Sequence, residues 1–358
     1  MRFFLISNMF PSNNDPLFGV FVKNFKVELE KQGVIFSKSA LIKGKSYSKF
    51  KKLGSYLKHY WQILVGFFSK DYDLLYVHYL THHIPILLLL LPLKTRPVVI
   101  NVHGSDINAV IHNSRLRYLG EIILKCIDLL VVPTRAYKNI VIRTFPFMNE
   151  NKITISPSGG IDERQFYPIN HHSSSGILTL GFVSRFTLEK GWRTFLDALV
   201  LLKNEQIAFK AIIGGKGPDE QLLLSYIEQH GLKEFIDFRG FIHQEELYKV
   251  YNELSVFIFP TYRDSLGLTG LEAMSCGVPV IASNIEGGPS SYVKHGINGY
   301  LFTPKDPKAL FETILLYNKM DGKQKEKLSA NSLETAKFYR KSHVAQKLIG
   351  ELKKLVLY

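Results

Sequence analysis

The stretch Val256-Phe-Ile-Phe-Pro-Thr-Tyr-Arg-Asp-Ser-Leu-Gly-Leu-Thr-Gly-Leu-Glu-Ala-Met-Ser-Cys-Gly-Val-Pro-Val-Ile-Ala-Ser283 decides how the chain is read. Val256–Phe259 is a short, wholly apolar run of the kind a strand buried on both faces needs, and Pro260 ends it. Helix-forming residues resume at Leu268 and stop at Gly277 and Pro279, before a second apolar run, Val280–Ala282. Strand, loop, helix and strand in that order predict a parallel sheet. The amides of Gly267 and Leu268 open the helix without intrahelical partners, so they offer N–H donors and partial positive charge to a phosphate. Glu272 lies one turn inside on the face of Leu268, where a carboxylate can accept from two adjacent hydroxyls such as those of a ribose. Asp264 stands eight positions before it. The same pattern also describes an ordinary helix start whose acids suit the helix dipole.

A second element points the same way. Leu178-Thr-Leu-Gly-Phe-Val-Ser-Arg-Phe-Thr-Leu-Glu-Lys-Gly-Trp192 reads as a strand, a loop carrying Arg185 and Lys190, and a helix start continuing through Phe195, Leu196 and Leu199. Two cations beside a dipole end suit a diphosphate, whose charge rises as a glycosidic bond breaks. Farther out, strands are expected at Arg2–Ser7, Leu74–His78, Val98–Val102 and Leu129–Val132, with a helix at Phe21–Gln32. In the second half they are expected at Leu178–Val183, Phe209–Ile213, Ile236–Phe238, Val256–Phe259 and Val280–Ala282. This α/β alternation predicts two doubly wound, Rossmann-like domains, 1–165 and 166–335. The polar stretch Phe166–Gly176 is the expected linker.

The chain has 358 residues and a net charge of +14, enough for two cores. Residues 1–165 carry 22 Lys+Arg against 11 Asp+Glu, so the first half holds most of the charge. Its densest portion, Lys43–Phe68, interleaves lysines with aromatic and aliphatic residues, as helices lying on anionic membranes do and as some solvated helix faces do. No nucleic-acid motif accompanies the charge, so nucleic acid is not an expected partner. Cys126 and Cys276 sit in apolar surroundings and suggest a reducing compartment. Met1–Ile6 is too short an apolar run for a secretory signal and reads as the first strand. Ile84–Leu93 falls short of a membrane span and reads as a buried helix. The expected location is cytoplasmic, peripheral on the inner face of the cell membrane.

Ser184-Arg-Phe-Thr-Leu-Glu-Lys-Gly191, Gly214-Gly-Lys-Gly-Pro218, Phe238-Arg-Gly-Phe-Ile242, the Asp264 to Glu272 segment, and Glu286-Gly-Gly288 with Asn298-Gly-Tyr-Leu301 follow one another in a characteristic order. So arranged, the chain resembles the retaining family 4 glycosyltransferases of the GT-B fold. His103-Gly-Ser-Asp106 and Pro157-Ser-Gly-Gly-Ile-Asp162 extend the likeness into the first half. The resemblance implies two Rossmann-like domains facing a central cleft, with a last helix, about Ala336–Leu357, packing back on the first domain. It also implies that Arg185 and Lys190 hold the donor diphosphate, Glu272 the ribose hydroxyls, and Asp264 the neighbourhood of the sugar. Gly240, in the third motif, joins Gly267 and Leu268 in the donor set. The family usually has Glu where this chain has Asp264, and an acid where this chain has Ser291.

On the other domain, Asp15-Pro-Leu-Phe-Gly-Val-Phe21 follows the first strand, where open α/β sheets bind ligands, and Gly19 permits close backbone approach. His103 ends another strand at the same sheet edge. Asp71-Tyr-Asp73 matches an aspartate pair that binds metal in other glycosyltransferases, but its position before a strand suits a structural role. His82-His83 and His171-His172 lack nearby ligands at zinc spacing, and no metal or other cofactor is expected. The residues so read carry the transfer of a hexosyl-type unit from a nucleotide diphosphate sugar to a glycan or lipid-linked glycan acceptor. A nucleotide-sugar epimerase and a non-catalytic sugar-nucleotide-binding partner of an assembly complex remain as alternatives.

Overall fold

A computed structural model describes residues 1–16, 18–45, 48–169 and 177–356. The His171-His172 pair and the linker positions 170–176 lie outside the described residues. The chain forms two compact units, one of Met1–Gly160 with Lys341–Tyr358 and the other of Ile161–Arg340.

The first unit runs β1 (Arg2–Phe10), α1 (Val20–Lys31), β2 (Ile35–Lys43), α2 (Lys49–Phe67), β3 (Leu74–His78), α3 (Ile84–Leu90), β4 (Val98–Asn101), α4 (Ser105–His112), α5 (Ser114–Cys126), β5 (Leu129–Val132), α6 (Arg135–Thr144) and β6 (Ile153–Ile155). Its six strands are all parallel, in the order β2-β1-β3-β4-β5-β6. Side chains alternate between the faces of a strand, so the unbroken apolar run of β1 feeds two cores. Phe4 and Ile6 pack with Ile63 of α2 and Leu87 of α3. Phe3 and Leu5 pack on the other face with Val22, Phe25 and Leu29 of α1. The Leu-rich run becomes α3, with Ile84, Ile86, Leu87 and Leu90 buried and Leu89 exposed.

The second unit runs β7 (Leu178–Val183), α7 (Trp192–Asn204), β8 (Phe209–Gly214), α8 (Glu220–Gln229), β9 (Ile236–Gly240), α9 (Leu247–Asn252), β10 (Val256–Phe259), α10 (Leu268–Ser275), β11 (Val280–Ser283), β12 (Gly299–Phe302), α11 (Pro307–Asn318) and α12 (Gly322–Lys337). Its sheet is also parallel, in the order β12-β11-β10-β7-β8-β9. Val256 and Ile258 join one core with Phe195 and Leu199 of α7, while Phe257 and Phe259 join the other with Leu271 and Met274 of α10.

The last helix, α13 (Lys341–Val356), belongs to the first unit, where Ala345, Leu348, Ile349 and Leu352 pack with Phe3, Leu5 and α1. It starts at Lys341 rather than Ala336. The intervening backbone is drawn into another pairing, the Tyr339 carbonyl accepting from the Ile161 amide at 2.7 Å beside an Ile161–Arg340 bridge.

Strand order locates the ligand edge of each sheet. In the second unit the chain leaves β7 for β8 and β9 on one side and returns through β10 to β11 and β12 on the other. The chain therefore runs off to opposite sides of the sheet after β7 and β10, and the carboxyl ends of these two strands form the switch point at which open α/β sheets bind ligands. The corresponding switch in the first unit lies between β1 and β3.

Candidate functional site

At the β7/β10 switch the two loops are laced together. The Glu189 carbonyl accepts from the Tyr262 amide at 2.7 Å. Gly191, which starts α7 at φ +76°, lies so close to the second loop that a Cβ there would sit 1.8 Å from the Pro260 carbonyl oxygen. Only glycine meets both demands. This contact brings Lys190 to Asp264, Nζ to Oδ2 2.7 Å, with both side chains largely buried. Asp264 also accepts from the Leu266 amide through Oδ1 at 3.3 Å. Arg185 stays exposed and reaches Glu189, 3.7 Å away.

The start of α10 is built the same way. Gly267 takes φ +81°, and a Cβ there would strike the Phe259 ring at 2.2 Å. Its carbonyl accepts from the Tyr292 hydroxyl at 2.8 Å. No side chain caps α7 or α10, so the switch point presents two helix starts whose first amides have no intrahelical acceptor. Leu268 is the first residue of the second. The loop after β11 crosses close to Asp264, where a Cβ on Gly288 would sit 3.2 Å from the Asp264 carbonyl oxygen. Ser291, standing where an acid was expected, donates to the Gly288 carbonyl at 2.6 Å and stays on its own turn.

Glu272 lies one turn inside α10, only 8% exposed, and Oε2 accepts from the Tyr251 hydroxyl at 3.0 Å. Burial first, then the Glu272 charge, holds the Tyr251 phenol well above its usual range, so it remains a donor. Gly240 takes φ +58° at the end of β9. Its carbonyl accepts from the Gly215 amide at 2.6 Å, and Gly215 packs against the Ser184 carbonyl, where a Cβ would lie 1.8 Å away. Gly240 thereby supports the loop that carries Arg185.

The remaining candidates belong to the first unit. Gly19 starts α1 at φ +70°, and a Cβ there would sit 2.5 Å from the Met9 carbonyl carbon, so the loop after β1 folds back on its own strand. His103, just past β4, lies with Nε2 2.9 Å from Nδ1 of His78 at the end of β3, and its ring packs on Phe21 and Tyr79. Buried Asp106 binds the two strand ends, accepting from the His103 amide at 2.8 Å and the Leu80 amide at 3.0 Å. Burial lowers His103 to about 3, so its imidazole is neutral near pH 7. His78 Nε2 is buried without a partner. A bare ring nitrogen there costs less than a stranded N–H, which assigns the shared proton to His78 Nδ1 and leaves His103 protonated on Nδ1.

The Asp71-Tyr-Asp73 acids are held at the opposite end of β3. Asp73 accepts from the Arg2 guanidinium at 2.7 Å, and Asp71 lies 3.3 Å from Lys38. Sequence reasoning missed Tyr251, Tyr292, His78 and Asp106. His78 ends a strand as His103 does and was open to the same reading. The tyrosines carry no local signal, since only the packing of α9 and the β11 loop onto α10 brings them in.

Comparison with known proteins places this geometry in a family. The models for "Glycosyltransferase Family 4" and "Glycosyl transferases group 1" match residues 21–164 and 164–335. An uncharacterized glycosyltransferase of Methanocaldococcus jannaschii is 32% identical over 129 residues, 36% of this chain and 33% of that protein. The O-antigen chain mannosyltransferase B of Escherichia coli is 28% identical over 176 residues, 49% of this chain and 45% of that protein. These matches thus span less than half the length of either relative. Among solved structures, Anabaena HepE in complex with UDP and glucose superposes with a TM-score of 0.74 at 17% identity, covering 99% of this chain and 100% of that one. The two parallel six-stranded sheets, their ordered motifs and both family matches show that this chain belongs to the family 4 glycosyltransferases of the GT-B fold.

Proposed function

We propose that the protein is a retaining glycosyltransferase that moves a sugar from a nucleotide diphosphate sugar to a glycan acceptor. The observation that carries this reading is the Lys190–Asp264 pair, set between two uncapped helix starts at one switch point. Lys190, Arg185 and the amides opening α7 and α10 stabilise the departing diphosphate, a role that needs no bound metal. Glu272 accepts from the ribose hydroxyls and Asp264 lines the sugar, while in the first unit the neutral His103 and Gly19 remain the candidate sugar-lining and donor-admitting groups. The acceptor hydroxyl attacks the anomeric carbon on the face the diphosphate leaves. The new C–O bond forms as the sugar–phosphate bond breaks, and the hydroxyl proton passes to the departing phosphate oxygen. HepE, in complex with UDP and glucose, and a relative acting on O-antigen chains support a nucleotide sugar as donor and a surface glycan as acceptor.

A lipid-linked acceptor fits helix α2. Its inner face buries His59, Ile63, Gly66 and Phe67, while Phe50 (87% exposed), Leu53, Leu57, Trp61 (65% exposed) and Val65 form an outer apolar stripe. Lys49, Lys51, Lys52 and Lys58 are exposed on the same helix, as on helices that lie in an anionic membrane surface. Among the described residues, no helix is long and apolar enough to cross a membrane.

The test is to incubate the purified protein with a panel of nucleotide sugars, follow nucleotide release, and determine the anomeric configuration of the product by NMR. Turnover with inversion overturns the retaining mechanism, and absence of turnover with every donor overturns the enzyme reading.

A further inference from the structure

The first unit holds a cavity that the donor-side residues do not use. It opens beyond the carboxyl ends of β1 and β2 and is walled by α2, with Asn8, Phe18, Lys45, Lys52, Tyr56 and His82 among its lining. Its floor has an unmet need. Asn8 is 6% exposed, and its Oδ1 is buried with no hydrogen-bond partner. An unpaired buried carbonyl of this kind costs about 1–3 kcal/mol, a cost that a turn of the Asn8 amide toward the cavity would let an incoming hydroxyl relieve.

The walls add charge and an aromatic ring. Lys52 has no carboxylate within ion-pair reach among the described residues. The nearby Asp15 carboxylate accepts from the Lys45 backbone amide at 3.1 Å. His82, 3.2 Å from the Tyr56 hydroxyl through Nδ1, is lowered by burial first and by Lys52 second, so it brings no positive charge of its own near pH 7. Tyr56 presents an apolar ring with a polar tip held in place.

We infer that this cavity binds a sugar ring bearing an anionic substituent, a carboxylate or a phosphate. One ring hydroxyl donates to Asn8 Oδ1 once the amide turns toward the cavity, the apolar face of the ring lies against Tyr56, and the anion meets Lys52. This inference rests on the transferase reading, in which the occupant is the accepting end of the glycan. It gives the acceptor a charge class that the donor site does not determine.

Ligand-observed NMR titrations with methyl β-D-glucuronide, glucose 6-phosphate and methyl β-D-glucoside test it, with UDP and GDP affinity and melting temperature recorded for every protein. At least one anionic sugar is expected to bind about tenfold more tightly than the neutral glucoside, the effect of one charge-assisted hydrogen bond. The two anionic probes separate carboxylate from phosphate. Lys52→Gln, an exposed change, should remove the preference, and Asn8→Ala should weaken all three sugars. Equal binding of charged and neutral sugars by wild type, or an undiminished preference in a folded Lys52→Gln variant, overturns the inference. If Asn8→Ala does not fold, the Lys52→Gln comparison alone decides. Charge-selective sugar binding without nucleotide binding keeps the cavity and sinks the transferase reading. Nucleotide binding without charge selectivity does the reverse.

Discussion

Lys190 Nζ lies 2.7 Å from Asp264 Oδ2, although the two residues are 74 positions apart and belong to loops following different strands. A diphosphate entering between the helix starts competes with Asp264 for this ammonium. In Asp264→Asn the lysine loses its ion pair, so a nucleoside diphosphate is expected to bind about tenfold more tightly, near the lower end of the about 1.5–3 kcal/mol that a hydrogen bond to a charged group is worth. Sugar transfer should nevertheless fall if, as proposed, this carboxylate lines the sugar. Calorimetry paired with turnover checks the split, and a parallel fall in both sinks this account of the pair.

Lys190→Ala should lower transfer at saturating donor by about 10²–10³, the usual loss when one group that stabilises developing charge is removed. Arg185→Ala should cost less, because that side chain is exposed and screened. Rates near wild type in both would make these cations surface features.

Glu272→Gln keeps an acceptor for Tyr251 but removes the charge. Affinity for a nucleoside diphosphate should drop by about 1.5–3 kcal/mol, and preference over the 2′,3′-dideoxy nucleotide should shrink with it. Calorimetry with both nucleotides is decisive. An unchanged preference removes the ribose assignment.

Gly191→Ala places a methyl against the Pro260 carbonyl in a backbone region that L residues rarely adopt. The second unit should lose at least about 2 kcal/mol of stability, and donor binding should weaken with it as Lys190 and Asp264 are pushed apart. Urea unfolding of the variant measures the first effect and nucleotide titration the second.

Burial holds His59 near 4, His83 and His103 near 3, and His78 well below its ordinary value, all within the first unit. Each takes up a proton more readily when unfolded, so stability is complete above about pH 6.5 and is lost as pH falls toward the folded-state values. Melting between pH 7.5 and 5.5 should show an acid-side loss on the order of 1 kcal/mol per histidine. His59→Gln should reduce that slope; an identical slope would remove His59 from the set.

Vesicle sedimentation tests the outer stripe of α2. Wild type should bind anionic vesicles, less so at high salt, each basic residue near the surface contributing about 1 kcal/mol. The Leu57→Ser/Trp61→Ser pair should weaken binding at every salt concentration, and Lys49→Gln/Lys51→Gln only at low salt. Equal binding to neutral and anionic vesicles would refute the electrostatic part.

The interior strands could be read from sequence because parallel strands buried on both faces are short continuous apolar runs. Val256–Phe259, Leu74–His78 and Leu129–Val132 have the bounds expected of them. The strands left out, β2, β6 and β12, all lie at sheet edges. One face pattern is interrupted by Ser37, Lys38 and Ser39, β6 has three residues, and β12 begins with glycine, so none makes an apolar run. Arg185, Lys190, Asp264 and Glu272 were legible because each stands near a strand-to-helix turn. What the sequence withheld was partnership, such as Lys190 with Asp264, His103 with His78 and Glu272 with Tyr251, which arises from strand order.

The first unit is discontinuous. Leu348, Ile349 and Leu352 of α13 pack with Phe3, Leu5 and Phe25, but are synthesised only after the entire second unit. On the ribosome, the nascent first unit therefore waits with one sheet face greasy and incompletely roofed while about 180 residues of another unit emerge. A fragment ending at Gly160 would keep that face covered by α1 alone and call for a chaperone, or for α13 supplied as a separate peptide, to stay in solution.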